Sequence, residues 1–277
     1  MTSISSPMRI WYQSLVDVAL SPSYFDGLAA RARILARPGV EVVFHGVPKG
    51  TYGKSTPADA ALSPYILSLN TQFILDNALR AQAEGYDAFA VGSVQDPGLE
   101  EARSLVDIPC VGYGESAMHF ACLLGGRFAV LLFQEGFDQV MDLRIRRLGL
   151  ESRSIPSVLV QTDFAGVSRG MQDPTQLVEQ FTHAAKRAIA LGAEALIPGQ
   201  LYLSEAIARA GISRIDDAPI VDGLSTTLKM AESMVDLHRI GIRVTRRGYL
   251  HAQPTADMID HARRMHGRPS VPAAKKP

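Results

Sequence analysis

GYDAFAVGS, Gly85–Ser93, and GAEALIPGQ, Gly192–Gln200, carry one pattern twice in a single chain. Each opens on glycine, sets an acid third and alanine fourth, runs through apolar residues, and closes on glycine followed by one polar residue. A short apolar run bounded by glycine is the mark of a buried strand. The likeness extends further: DIPCVG from Asp107 follows the first copy and DAPIVDG from Asp217 follows the second, both reading Asp, any, Pro, any, Val. Two strand-loop-strand units thus recur 107 residues apart, from Gly85 to Gly192. This spacing predicts a duplicated half-molecule. A pseudo-two-fold axis between the copies brings Ser93 and Gln200 across a cleft at the carboxyl ends of their strands, where open parallel sheets bind ligands.

The rest of the chain repeats the alternation of short apolar runs with helical patterns, which predicts an α/β fold with mainly parallel sheets. Strand candidates are RIWYQSL, VEVVFHG, AFAVGS, IPCVGY, RFAVLLF, SIPSVLV, EALIPG and APIVDG, enough for two small sheets. Between them, the run from Asp173 has an N-cap acid, Pro174 at the first helical position and a glutamine at the capping-box position, with Gly192 as its stop. A second helix runs through Phe137, Val140, Met141, Ile145 and Leu148 to Gly149, and its Arg144, Arg146 and Arg147 read as a solvated face.

Composition narrows the function. Lys plus Arg and Asp plus Glu both number 28 in 277 residues, so no broad field gathers nucleic acid or an anionic membrane, and the expected partner is a small molecule. The basic tail HARRMHGRPSVPAAKKP reads as a fraying terminus rather than a nucleic-acid arm. Two cysteines exclude a disulfide scaffold, and the absence of a leader pattern or long uncharged apolar stretch makes the cytoplasm the expected compartment. Apolar helices permit a homo-oligomer without marking a seam.

The stretch GYDAFAVGSVQDPGLEEARSLVDIPCVGYGESAMHFACLLGGRFAVL, with GAEALIPGQ and APIVDGLSTTLKMAESMV, resembles the aspartate/glutamate/hydantoin racemase superfamily, closest to its hydantoin and allantoin racemase branch. DPGL from Asp96, the VGYGES turn and the GGRFAVL strand carry the match. The resemblance implies two Rossmann-like lobes related by pseudo-two-fold symmetry, the active site in the cleft between them, and no organic cofactor. The expected division is 1–114 with 223–277 in one lobe and 115–222 in the other. In the family two thiols, one per lobe, flank the substrate carbon. One removes a proton and the other returns one. These positions fall on Ser93 and Gln200. An unassisted hydroxyl is a far weaker base than a tuned thiolate, and an amide exchanges no proton in this role. Cys110 and Cys122 lie in a strand and a helix and read as core.

Other chemistry remains for the cleft. Ser93 and Gln200, with Val94, Gln95, Leu201 and Tyr202 beside them, offer hydrogen bonds to a neutral polar ring or a carboxylate, or else stabilise their own turns. Glu115, where VGYGES enters a helix, is the first candidate for proton transfer, against a plain helix-capping role. His45, at the end of VEVVFHG, is the second. Asp222, in VDG, is a further candidate ligand for the substrate in a composite site with His45 and Glu115, and should a metal bind, His45, Glu115, His119 and Asp222 are its candidate ligands. The loop PKGTYGKSTPADAALSPY from Pro48 reads as a lid, with Tyr52 and Lys54 as ligands for the substrate. GTYGKST lacks phosphate-loop spacing, and GYGES lacks a third fingerprint glycine.

Three functions are compatible with this pattern. The first is proton transfer next to a carbonyl of a hydantoin-like cyclic ureide or related small acid, without two-cysteine racemisation. The second is a hydrolytic or heteroatom-removing reaction on the same ring, desulfurising or ring-opening, through water activated by Glu115 or a metal. The third is small-molecule binding without catalysis.

Overall fold

The computed structural model describes residues 7–19 and 21–270. In the first half, β1 (Met8–Asp17), α1 (Pro22–Leu35), β2 (Val40–Val47), the short α2 (Pro57–Ala61), α3 (Pro64–Ala83), β3 (Ala88–Val91), α4 (Leu99–Leu105) and β4 (Cys110–Gly112) follow in order. Their strands form a parallel sheet ordered β2-β1-β3-β4. Helix α5 (Tyr113–Leu124) leads into the second half, which contains β5 (Phe128–Leu132), α6 (Phe137–Arg147), β6 (Val158–Leu159), α7 (Phe164–Gly170), α8 (Thr175–Ala190), β7 (Ala195–Pro198) and α9 (Leu201–Arg209). Its parallel sheet is ordered β6-β5-β7. A small antiparallel pair, β8 (Arg214–Ile215) with β9 (Ala218–Pro219), precedes α10 (Gly223–Arg239), which packs against α5, α1, β3 and β4; α11 (Ala256–Met265) closes the described chain.

The repeat seen in the sequence is a repeat of hydrogen bonds. Asp87 N–H donates to Arg9 O and Glu194 N–H to Arg127 O, each at 2.8 Å. At the far end of the same strands, Gly92 N–H donates to Gln13 O (2.7 Å) and Gly199 N–H to Leu131 O (2.6 Å). The next strand keeps register too, since Phe89 pairs with Cys110 and its counterpart Leu196 bridges Ile220. The two lobes are therefore related by pseudo-two-fold symmetry down to individual strand-end residues, and Ser93 and Gln200 occupy equivalent places.

Both faces of the first sheet are covered, which explains its nearly unbroken apolar strands. Ile10, Tyr12, Ala88 and Ala90 join the large core that continues into the second lobe, whereas the alternate residues Trp11, Phe89 and Val91 pack under α3 and α4. Gly92 has no room for a side chain, because a Cβ there lies 2.4 Å from the Tyr12 ring.

Some expectations change. SIPSVLV pairs only at Val158–Leu159 and through Ser154, since its proline cannot donate to the ladder. Ala218 and Pro219 turn antiparallel to β8, leaving Ile220 to bridge the sheet. Helix α8 has Asp173 accepting from Thr175 N–H at 3.1 Å in place of the full capping box. Arg144 is 5% exposed rather than solvated, held by Asp96 and Glu100. The basic tail forms α11, with Arg263 and Arg268 both bound to Asp76 on α3, so a fraying terminus does not describe it up to Arg268. Residues 271–277 lie outside the described residues.

Candidate active site

Two strands end facing one space. Gly92–Ser93 leaves β3, and Gly199–Gln200 leaves β7, where Gln200 is the N-cap residue of α9. Ser93 and Gln200 line the same pocket, together with Val94, Gln95, Leu201 and Tyr202, so all six of these sequence candidates come together. The remaining walls are Ser14, Tyr24, Phe133, Gln134, Phe137 and Phe164, closed by Pro57, Ala58 and Ala61 of α2. Its volume is about 80 Å³, small beside the several hundred typical of ligand sites, so it suits a compact molecule. No Asp, Glu, Lys, Arg, His or Cys is among the lining residues.

The polar lining consists of three amides, Gln95, Gln134 and Gln200, and the hydroxyls of Ser14, Ser93, Tyr24 and Tyr202. Gln95 donates from Nε2 to Ala61 O (2.9 Å), and Gln134 donates from Nε2 to Ala58 O (2.8 Å). Their Oε1 atoms, and both Nε2 and Oε1 of Gln200, are buried without a hydrogen-bond partner among the described residues. Buried polar atoms are nearly always paired, so these four are open to a hydrogen bond from a bound molecule or water. Gln134 was missed in the sequence. Its signal was available, because it follows β5 as Gln95 follows β3, at the carboxyl ends where such sheets bind ligands.

Glu115 does not look into this pocket. The helix begins two residues before it, at Tyr113, and turns its side chain to Arg103, which donates at 2.8 and 3.0 Å from α4; Arg144 adds a third contact at 3.4 Å. A carboxylate gripped by two guanidinium groups on another face is a structural ion pair. His119 does lie one turn on, but its Nδ1 meets the Glu115 main-chain oxygen (2.7 Å). Asp222 caps α10, accepting from Ser225 N–H (2.9 Å), and pairs with Arg31 at 2.7 Å. His45 stacks on Trp11 with ring centroids 3.4 Å apart. These four residues form no common site, and among the described residues no group of three His, Cys, Asp or Glu side chains is placed to hold a metal. Tyr52 is buried with its hydroxyl donating to Leu15 O, and Lys54 is exposed; the segment after Pro48 reaches the pocket through α2 instead.

Burial, with Arg80 nearby, lowers the His45 imidazole to about 4. An unfolded histidine titrates near 6.5, so below that pH the unfolded chain takes up a proton that the folded chain resists. The stabilisation is complete above about 6.5 and is lost as pH falls toward 4. Denaturant titrations across this window should show stability falling with acid. His45→Phe, which keeps the stack, should flatten that decline, and an unchanged slope would refute the assignment.

The thiols are elsewhere. Cys110 is buried in β4, its thiol pushed up to about 12 by burial, and Cys122 sits on α5; neither lines the pocket.

Paired parallel sheets, equivalent strand ends and a pocket between them define a two-lobed α/β protein with a duplicated pocket-facing turn. The sequence profile of the Asp/Glu/Hydantoin racemase family matches residues 17–231, and the chain belongs to that family. It is 27% identical over 212 residues to a hydantoin racemase of Pseudomonas sp. (strain NS671), covering 76% of this chain and 80% of that protein. Among solved structures it is similar to an allantoin racemase from Klebsiella pneumoniae, with a TM-score of 0.72, 22% identity, and 89% of this chain and 94% of that one covered. Allantoin racemase from Pseudomonas fluorescens gives a TM-score of 0.70 at 23% identity, over 89% and 97%. Among the described residues no helix is long and apolar enough to cross a membrane.

Proposed function

We propose that the chain binds a neutral, hydantoin-like cyclic ureide between its lobes and labilises the hydrogen on the carbon beside a ring carbonyl, by a route that uses no pair of thiols. One observation carries this: Ser93 and Gln200, equivalent residues of the two halves, face a single pocket that no charged side chain and no thiol lines. Without a cation to meet a carboxylate, the pocket favours the neutral ring over a small acid. Gln200 Nε2, buried and unpaired, is a donor suited to an enolate oxygen as it develops. Ser93 then hydrogen-bonds a solvent hydroxide that takes the C5 proton, leaving water and the enolate, and a water returns the proton in the reverse step. The hydroxyl of Tyr24, which burial holds well above its ordinary range, serves only as a donor. Water activation by Glu115 has no support, because that carboxylate belongs to the Arg103 ion pair.

The lack of any carboxylate, imidazole or thiol in the pocket also favours a second reading, binding without turnover. Deuterated water separates the two. A 5-substituted hydantoin should raise the melting temperature and slowly exchange its C5 hydrogen without ring opening, with exchange lost in Ser93→Ala. Stabilisation without exchange would establish the binding module, and neither effect would end the proposal.

A further inference from the structure

Helix α2 is only five residues long, so most of its carbonyls have no partner within the helix. Two of them are met by side chains from opposite lobes: Gln95, after β3, donates to Ala61 O, and Gln134, after β5, donates to Ala58 O. These bonds fix which end of each amide is which, since a carbonyl accepts only from an NH2 group. The oxygen of each is buried without a partner, and both residues line the pocket. Gln95 as a whole is 8% exposed, so bulk water does not compensate its oxygen.

We infer that Gln95 and Gln134 are specificity-determining residues, whose carbonyl oxygens, left without partners when α2 holds the NH2 ends, select ligands that present N–H donors on both sides of the ring. This rests on the ureide reading above and extends it from a ring of the right size to a ring with a required donor pattern. A buried acceptor left unpaired penalises any ligand without the matching N–H, whereas an apolar wall is indifferent.

Paired probes test this on the full-length chain. A 5-substituted hydantoin and the correspondingly substituted succinimide are both neutral and of one shape, but a ring N–H of the first is a CH2 in the second. Calorimetric titration should show the hydantoin binding tighter by about tenfold or more, the order expected for one unpaired buried acceptor. In Gln95→Leu or in Gln134→Leu, whichever faces that nitrogen, the preference should collapse to about twofold or less as the apolar wall no longer discriminates. Equal affinity of the two rings in the unsubstituted protein overturns the inference while leaving ureide binding intact, and it does so even if the variants fail to fold. A preference that survives in both variants also overturns it. Binding of neither ring removes the parent reading, and this one with it.

Discussion

Arg144→Met is expected to destabilise the protein by roughly 3–5 kcal/mol, the cost of leaving a buried charge without its partner. Arg144 lies on α6 in the second lobe, 5% exposed, and donates from Nε and Nη2 to Asp96 Oδ2 at 3.1 and 2.8 Å and from Nη1 to Glu100 at 2.8 Å. Asp96 is 2% exposed and also accepts from Gly114 N–H (2.8 Å) and Glu115 N–H (2.7 Å). Burial raises its carboxyl to about 7 against the pull of Arg144 and these N–H groups. Because every partner of both oxygens is a donor, the ionised carboxylate is the form that fits at neutral pH. Removing the guanidinium leaves a carboxylate in apolar surroundings with two N–H groups. Denaturant melts should therefore show a loss of several kcal/mol. Asp96→Ala combined with Arg144→Met should lose clearly less than the sum of the single variants, since two groups in direct contact are strongly coupled. A loss under about 1 kcal/mol, the range of an exposed pair, would show that the bridge between lobes is not buried in solution.

This ion pair also shows where the sequence was legible and where it was not. The strands around Gly85–Ser93 and Gly192–Gln200 were readable because their signals are local, with glycine at each end and apolar residues between. Their equivalence fixed the pairing of Ser93 with Gln200 in one pocket without any coordinates. Arg144 had no such signal. It sits among Arg146 and Arg147 near a helix end, and its burial depends on Asp96, 48 residues earlier. Glu115 failed for a related reason. Its position at a strand end was right, but one turn of helix decides which way a side chain points, and Arg103 on a different helix draws it away from the cleft. His45, two residues before the end of β2, likewise lies on the side that packs under α3, beside Trp11 and Arg80. The segment after Pro48 does reach the pocket, but through the apolar α2 and not through Tyr52 or Lys54. Polar residues in a loop invite a binding role, whereas a helix whose carbonyls anchor two distant glutamines is visible only in three dimensions.

Ser93→Cys combined with Gln200→Cys is expected to raise the C5 exchange rate of a bound 5-substituted hydantoin by about 10²–10⁴-fold, the usual effect of a positioned general base, and to convert exchange into racemisation. The two positions differ in a way that assigns roles. Position 200 is the N-cap of the nine-residue helix α9, where the positive helix end lowers a thiol's pKa and favours the thiolate. Position 93 leaves β3 into a turn with no long helix behind it, between Gly92 and the buried Val94, so a thiol there stays protonated and acts as the acid. One base and one acid on opposite faces are what inversion at carbon requires. Gln200→Cys alone should then give exchange without racemisation, while Ser93→Cys alone should add little. Chiral chromatography of the product in deuterated water distinguishes these outcomes. A double variant that folds and binds the hydantoin yet exchanges no faster than the unsubstituted chain would mean that the two side chains do not face one carbon, and the cleft would have to be read as a binding site alone.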